Sequence, residues 1–501
     1  MPKTPFPTLM ISASLAVFAH AGNSLLWGRN GEAWDPAGRL PDVSFAGYAC
    51  GERPIPDVAE VANVRDFGAK GDGTTDDTDA FLAAIGKVKQ GAVIVPAGRY
   101  RITKFIEITK PGLILRGEGP ERSILVCPVP LNDIKPDWGA TTTGERTSNY
   151  SWSGGIVSFK GGNPGKRIGR CPTPAKRGGH ELKVEGDASR LSPGDWIEIA
   201  IRDDAERSLL TYLYSGDPGG LSKIRASKHA TSFVTRVTKI NGQILTLERP
   251  LRTDIRPEWN PEISTWLPTV TNSGIEHIGF EFPERKYQGH FSELGFNAVA
   301  FTNVADCWAR DLIITNSDSG VFAGGRFCTV ENVRCQMVKV VESGGVFGHH
   351  GIDLSGNDNL LTRFEIRQRF VHDITVERGA GNVACSGSGT DLSFDHHKRA
   401  PYDNVFTDID LGAGTRMWKS GGGADLGRNC AAHGTFWNIR AAKRQKYPEN
   451  FGPASMNLVA LQTTETSVTE PNSRWFEAIP PARIEPENLY QAQLKRRLGA
   501  K

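Results

Sequence analysis

From residue 271 onward, short apolar runs recur along the chain, and each carries one polar residue followed by a β-branched residue or leucine. The pairs are His277-Ile278, Asp311-Leu312, Asn332-Val333, Asp373-Ile374, Asp408-Ile409 and Asn438-Ile439, at spacings of 34, 21, 41, 35 and 30. A step near 21 is one turn of a solenoid, 41 is two turns, and the longer single steps are turns that carry a loop. Strands repeated in this way stack about 4.8 Å apart, so residues one turn apart in sequence become neighbours in space.

The N-terminal third shows the same rhythm after a preamble. Residues 61–67 read as a short strand and 68–73 as a glycine-rich turn, with Thr75 or Asp76 capping a helix through 80–85. Residues 92–100, 106–108 and 113–115 read as further short strands. The stretches DFGAKGDGTTDDTDA (66–80) and VIVPAGRY (93–100) resemble the opening of the pectate-lyase-like superfamily. That resemblance implies an all-β chain, a right-handed parallel β-helix whose N-terminal end is capped by the helix. It makes Asp72, Asp76 and Asp77 turn and cap residues. It spans lyases, glycoside hydrolases and phage tail spikes, so it speaks to fold more than to chemistry.

Residues 131–270 break the rhythm. Residues 182–199 alternate polar and apolar, and 233–247 read as a hairpin about Asn241-Gly242. An inserted small β-subdomain, or long loops, is expected to wall one side of a groove. Trp138, Trp152, Trp259 and Trp266 lie in this stretch, either to stack on sugar faces or to fill its core. The expected organisation is 1–21 an export signal, 22–60 an irregular arm, and 61–130 the first coils. The insertion follows at 131–270, the main coils at 271–445, and a C-terminal cap at 446–501 with a helix bearing Leu489, Leu494 and Leu498.

Composition agrees with a loop-rich β protein: 501 residues, 39% hydrophobic, with 56 glycines and 30 prolines. The net charge is +3, and no basic stripe suggests nucleic acid as a partner. Lys3, the apolar run 9–18 and Ala19-His20-Ala21 form an export signal cleaved after Ala21, which predicts a secreted or periplasmic protein. No other stretch is apolar enough for a membrane span. Eight scattered cysteines without a CxxC pair argue against a zinc cluster and suit buried free thiols. A monomer is expected, with a polysaccharide as its partner.

Ionisable residues concentrate between 349 and 419, where five of the eleven histidines fall. The groups are His349-His350 with Asp353; His372-Asp373; Asp391 with Asp395, His396, His397, Lys398, Arg399 and Tyr402; and Arg416 with Lys419. His350 to His372 is 22 residues, His372 to Asp395 is 23, and Asp395 to Lys419 is 24. These one-coil steps stack the groups into one polar column.

Two chemistries suit such a column. β-Elimination from a uronate polymer needs a cation against the carboxylate, a base for the C5 proton and an acid for the leaving oxygen. Lys398, Arg399 and Arg416 can neutralise; His350, His396 or His397 can be the base; Tyr402 or Lys419 can be the acid. His349, Asp353, Asp391, Asp395 and Lys398 then contact substrate. Glycoside hydrolysis would instead draw a carboxylate pair from Asp353, Asp391 and Asp395. The resemblance tilts the choice toward a lyase. A polygalacturonase-like run of Asn-x-Asp, Asp-Asp and Gly-His is absent. A non-catalytic glycan-binding protein is the third class. Relatives of this kind often use Ca²⁺, and the same three aspartates are the ones that would bind it. The basic residues can take calcium's place, so a metal-independent site is expected.

Overall fold

The computed structural model describes residues 22–224, 230–338 and 345–499. The export segment 1–21 lies outside them. The chain winds as a right-handed parallel β-helix. One face is a seven-stranded parallel sheet through Ile106–Ile108, Val157–Lys160, Asn297–Ala305, Ser319–Arg326, His350–Asp353, His372–Val376 and Phe394–His396. It is called the groove sheet below. The other faces form a continuous ladder that includes Gly274–Glu281, Trp308–Thr315, Thr329–Gln336, Val383–Gly389, Val405–Asp410 and Thr435–Arg440. Between them Ile278, Leu312, Val333, Ile352, Ile374, Phe394, Ile409 and Ile439 fill the core, none more than 1% exposed.

The polar-then-apolar repeat is a corner. His277, Asp311, Asn332, Asp408 and Asn438 have φ between 52° and 58°, the left-handed region that Asn and Asp tolerate best. The strand Gly274–Glu281 pairs with Leu113–Gly117 before this corner and with Ser123–Val126 after it. The residues that follow stack in register, Ile278 on Leu312 on Val333 and Ile409 on Ile439. The corner side chains bond to one another: His277 Nδ1 lies 2.7 Å from Asp311 Oδ2, and Asn332 Nδ2 donates to Asp311 Oδ1 at 2.8 Å. Asp373 is not a member, contrary to the sequence pattern. It sits on the groove sheet, where it accepts from the Phe370 and Ser393 amides at 2.9 and 2.8 Å. The corner passes instead through Arg363 and Ser386, at φ 52° and 51°. Neither residue type signals a corner in sequence.

A helix, Thr78–Lys87, buries Phe81, Ala84 and Ile85 beside the first coils, with the Phe81 ring edge-on to Tyr100 at 5.4 Å. It starts later than the sequence suggests. Asp76 accepts from the Thr78 amide at 3.0 Å, and Asp77 from those of Lys70 and Gly71. The acidic residues therefore serve turns.

The insertion carries a seven-stranded, antiparallel sheet with its own core of Ile197, Ile199, Leu209, Phe233 and Trp259. The hairpin at Asn241-Gly242 joins Ala230–Asn241 to Ile244–Leu247. Buried ion pairs dock it on the coils: Arg249 with Asp358 at 2.7 Å, Arg252 with Asp358, and Arg177 with Asp403 at 2.8 Å. The arm packs Trp27, Leu40 and Val43 against Trp437, Val459 and the C-terminal helix Leu489–Gly499. From that helix Arg497 donates to Ser44 O and to Glu52, both at 3.0 Å. All eight cysteines are buried and free.

Candidate functional site

A groove of about 510 Å³ lies over the last strands of the groove sheet. Parallel pairing builds its floor. His350 stands directly opposite His372, as their 22-residue spacing requires. The ladder Asp353–Thr375–Asp395 runs beside them. Strand alternation settles the next positions. Asp395 faces the histidines, with Oδ2 2.8 Å from His397 Nδ1 and 3.2 Å from His372 Nδ1. His396 points the other way into the core, among Phe406, Phe436 and Phe451, and so leaves the site.

Gly421 closes this corner. Its amide donates to Asp395 Oδ1 at 2.6 Å, and a Cβ there would lie 2.5 Å from His397 and 2.8 Å from His372. Only glycine lets the backbone pass so near. Lys398, Arg399 and Ala400 follow with φ of 66°, 62° and 60°. This turn is held by Lys398 Nζ on Gly423 O at 3.0 Å and by the Arg399 amide on Leu426 O at 2.9 Å. It brings the Arg399 guanidinium back to the groove, 3.1 Å from Glu377.

The electrostatics split the histidines. At Asp395 burial opposes the charge, but His372, His397 and the Gly421 amide outweigh it and hold the carboxyl well below its usual range. At His397 burial again opposes the charge, but Asp395 and Glu377 lift it to about 9. His349 and His350 are pushed well down by burial and by neighbouring imidazoles, and His372 is pushed to about 4, chiefly by burial. Burial thus favours the neutral form of His349, His350 and His372, whereas Asp395 favours the charged form of His397 beside them. Asp353 is pushed up to about 7 by burial.

Several residues expected at the site lie elsewhere. Tyr402 is buried under the insertion, its hydroxyl 2.9 Å from Thr231 Oγ1. Arg416 is a scaffold residue that donates to Phe370 O and Val371 O and faces Asp373 at 3.4 Å. Asp391 holds a turn, accepting from the Thr415 amide and hydroxyl and from Arg369. Asp391 thus stands apart from Asp353 and Asp395, and among the described residues the three do not come together as a compact metal-ligand group. Lys419 is exposed near His290 and His372, where its charge is felt.

The groove also holds residues the sequence did not single out. Glu377 and Arg378 come from the end of a groove strand, and His290 and Phe291 from the loop before Asn297–Ala305. Trp152, one of the four tryptophans the sequence did single out, comes from the first part of the insertion and packs edge-on to Phe291 at 6.2 Å. Among the described residues none of the lining comes from the seven-stranded sheet of the insertion, whereas Ala140, Thr141 and Thr142 come from its short hairpin, Trp138–Ala140 with Arg146–Ser148. Trp259 and Trp266 are buried, whereas Trp138 is 46% exposed. A second cleft, of about 610 Å³, lies at Tyr402 and His433, beside the docked insertion.

Residues 61–127 match the family model described as rhamnogalacturonase A/epimerase, pectate lyase-like. Alginate lyase 7 of Azotobacter vinelandii is 51% identical over 57 residues, and mannuronan C5-epimerase AlgE1 of the same organism is 33% identical over 102. These matches cover 11% and 19% of this chain and 7% of each relative's length. Among solved structures, the tailspike gp49 of Pseudomonas phage LKA1 aligns over 81% of this chain and 69% of its own, at 15% identity and a TM-score of 0.44. An exopolygalacturonase from Thermotoga maritima aligns over 82% and 80%, at 11% identity and 0.34. The pectate-lyase-like character read from 66–80 and 93–100 thus extends to a family match over residues 61–127, ahead of the coils that carry the groove.

Proposed function

We propose that the groove cleaves a uronate-containing polysaccharide by β-elimination. The observation that carries this is His397, its Nδ1 held 2.8 Å from Asp395 Oδ2, with the His350 ring 6.1 Å away in the same groove. The substrate carboxylate lies against Arg399, whose charge acidifies the C5 proton. His350, its Nδ1 engaged by Thr375 Oγ1 at 2.9 Å, takes that proton through Nε2. The electron pair forms the C4=C5 double bond as the C4–O bond breaks, and His397 delivers its proton to the leaving oxygen. Trp152 and Phe291 offer flat apolar faces to neighbouring sugar rings. The likeness of the opening coils to an alginate lyase and a mannuronan epimerase supports the substrate class.

A second reading rests on Asp353. Its carboxyl is held up to about 7 and feels Glu377, an acid and carboxylate pair of the kind that hydrolyses glycosides. The export-signal pattern of residues 1–21 supports secretion of a mature chain that begins at Gly22, which N-terminal sequencing of the exported protein tests.

The test of the reaction is incubation with polymannuronate, polyguluronate, polygalacturonate and a neutral glucan. Ultraviolet absorbance and new reducing ends are followed together. Elimination predicts both signals on at least one uronate polymer and neither on the glucan. Reducing ends without absorbance would move the assignment to Asp353 and Glu377.

A further inference from the structure

His290, His349 and His372 reach the groove from three separate segments, and one ligand atom from each lies within 4.8 Å of the others. His290 Nε2 and His349 Nε2 are 2.9 Å apart. Tetrahedral zinc, with Zn–N near 2.0–2.1 Å, spaces its nitrogens about 3.3 Å apart, between those two figures. His349 and His372 are 2% and 3% exposed, and His372 Nε2, on the side of its ring away from Asp395, has no hydrogen-bond partner. Unmet imidazole nitrogens in a buried setting are costly unless something binds them.

A carboxylate stands behind each buried ring. Asp395 Oδ2 is 3.2 Å from His372 Nδ1, and Glu293 Oε2, itself without a partner, is 3.7 Å from His349 Nδ1. Carboxylate behind imidazole is the arrangement that orients metal-bound histidines. Another trio, His372 with Asp395 and His397, is equally compact. There, however, Asp395 is already taken up by His397 and the Gly421 amide.

We propose that His290, His349 and His372 bind one divalent transition-metal ion, zinc being the best fit, with an open coordination position facing the groove. Three imidazoles favour zinc over calcium, which takes oxygen ligands. The ion would present a Lewis acid to a substrate carboxylate or hydroxyl. This departs from the metal-free expectation of the sequence and goes beyond the elimination chemistry, since it rests on the geometry of the three side chains alone.

The test uses the full mature chain, stripped with a chelator, exposed to zinc chloride and desalted. Retained metal is measured by elemental mass spectrometry and its ligands by X-ray absorption at the zinc edge. The wild type should retain about one zinc with a histidine scattering signature. His290→Ala, on an exposed loop, should lose retention at least tenfold while its melting curve stays wild-type. Glu293→Gln should weaken affinity about 10–100-fold. Failure of the wild type to retain zinc, or retention by His290→Ala equal to wild type, overturns the site. No substrate is present, so a protein that eliminates uronate but binds no zinc sinks this proposal alone, and one that binds zinc but shows no lyase activity sinks only the other.

Discussion

Two columns of polar side chains climb the same coils at nearly the same pitch. Asn359, Asn382 and Asn404 are one coil apart, with the Asn359 amide on Asn382 Oδ1 at 3.0 Å and the Asn382 amide on Asn404 Oδ1 at 2.9 Å. Asn382 Nδ2 also donates to Leu354 O and Gly356 O. Every step of this ladder is paired and buried. On the groove sheet, His350 and His372 obey the same one-coil rule, yet the histidines around them keep buried nitrogens without partners. The backbone places both columns, so stacking alone does not make a site. What separates them is satisfaction: the asparagines complete the scaffold, whereas the histidines are left open toward a groove.

Substitutions can break that contrast. The largest effect is expected at the open column. His350→Ala and His397→Ala should each slow turnover about 10²–10⁴-fold, the usual worth of a positioned acid or base. Because His350 is buried and His397 partners the buried Asp395, the rate is compared per folded molecule. An unchanged rate per folded molecule would make them scaffold like the asparagines.

Next comes the insertion's docking network. Asp358→Ala strands Arg249 and Arg252 in a buried site and should cost about 3–5 kcal/mol, read by denaturant unfolding. Burial raises the Asp358 carboxyl, but Arg249 and Arg252 outweigh it and hold it at about 2, against 3.8 ordinarily. Its contribution is therefore present above the ordinary value and is lost as pH falls from there toward about 2. The wild type should lose stability through that window more steeply than Asp358→Ala. Equal slopes would mean the network is not held by this charge.

Asn382→Ala, in the closed column, should cost about 1–3 kcal/mol by leaving its partners unpaired, with rate per folded molecule unchanged. The smallest effect is expected for Tyr402→Phe, whose activity should stay within about twofold of wild type. A large loss there would restore Tyr402 to the reaction.

Most of the fold was legible in the sequence because a solenoid repeats. The corner needs a left-handed residue once per turn, and Asp311, Asn332, Asp408 and Asn438 announce it. Arg363 and Ser386 do the same work without the signal, so that in the sequence Asp373 looks like the member between Asn332 and Asp408. At the site, the 22-residue step from His350 to His372 survived intact. His396 failed because neighbours on a strand face opposite ways, a rule that the apolar Phe394 two positions earlier already implied. Tyr402 and Arg416 failed because the loops that carry them turn away under the insertion or back along the coils. His290 and Phe291 come from a loop with no period, and only the folded chain brings them to the groove, with Glu293 buried behind His349.

Cleavage in isotopically labelled water tests the open column most directly. Products of an acidic polysaccharide would be weighed by mass spectrometry, wild type beside His397→Ala. Elimination predicts that the wild-type fragment with the new unsaturated end is one water lighter than its hydrolysis counterpart, with no oxygen label gained in the cleavage step, and almost no product from His397→Ala. Labelled, fully hydrated ends, or equal product from both proteins, would contradict it.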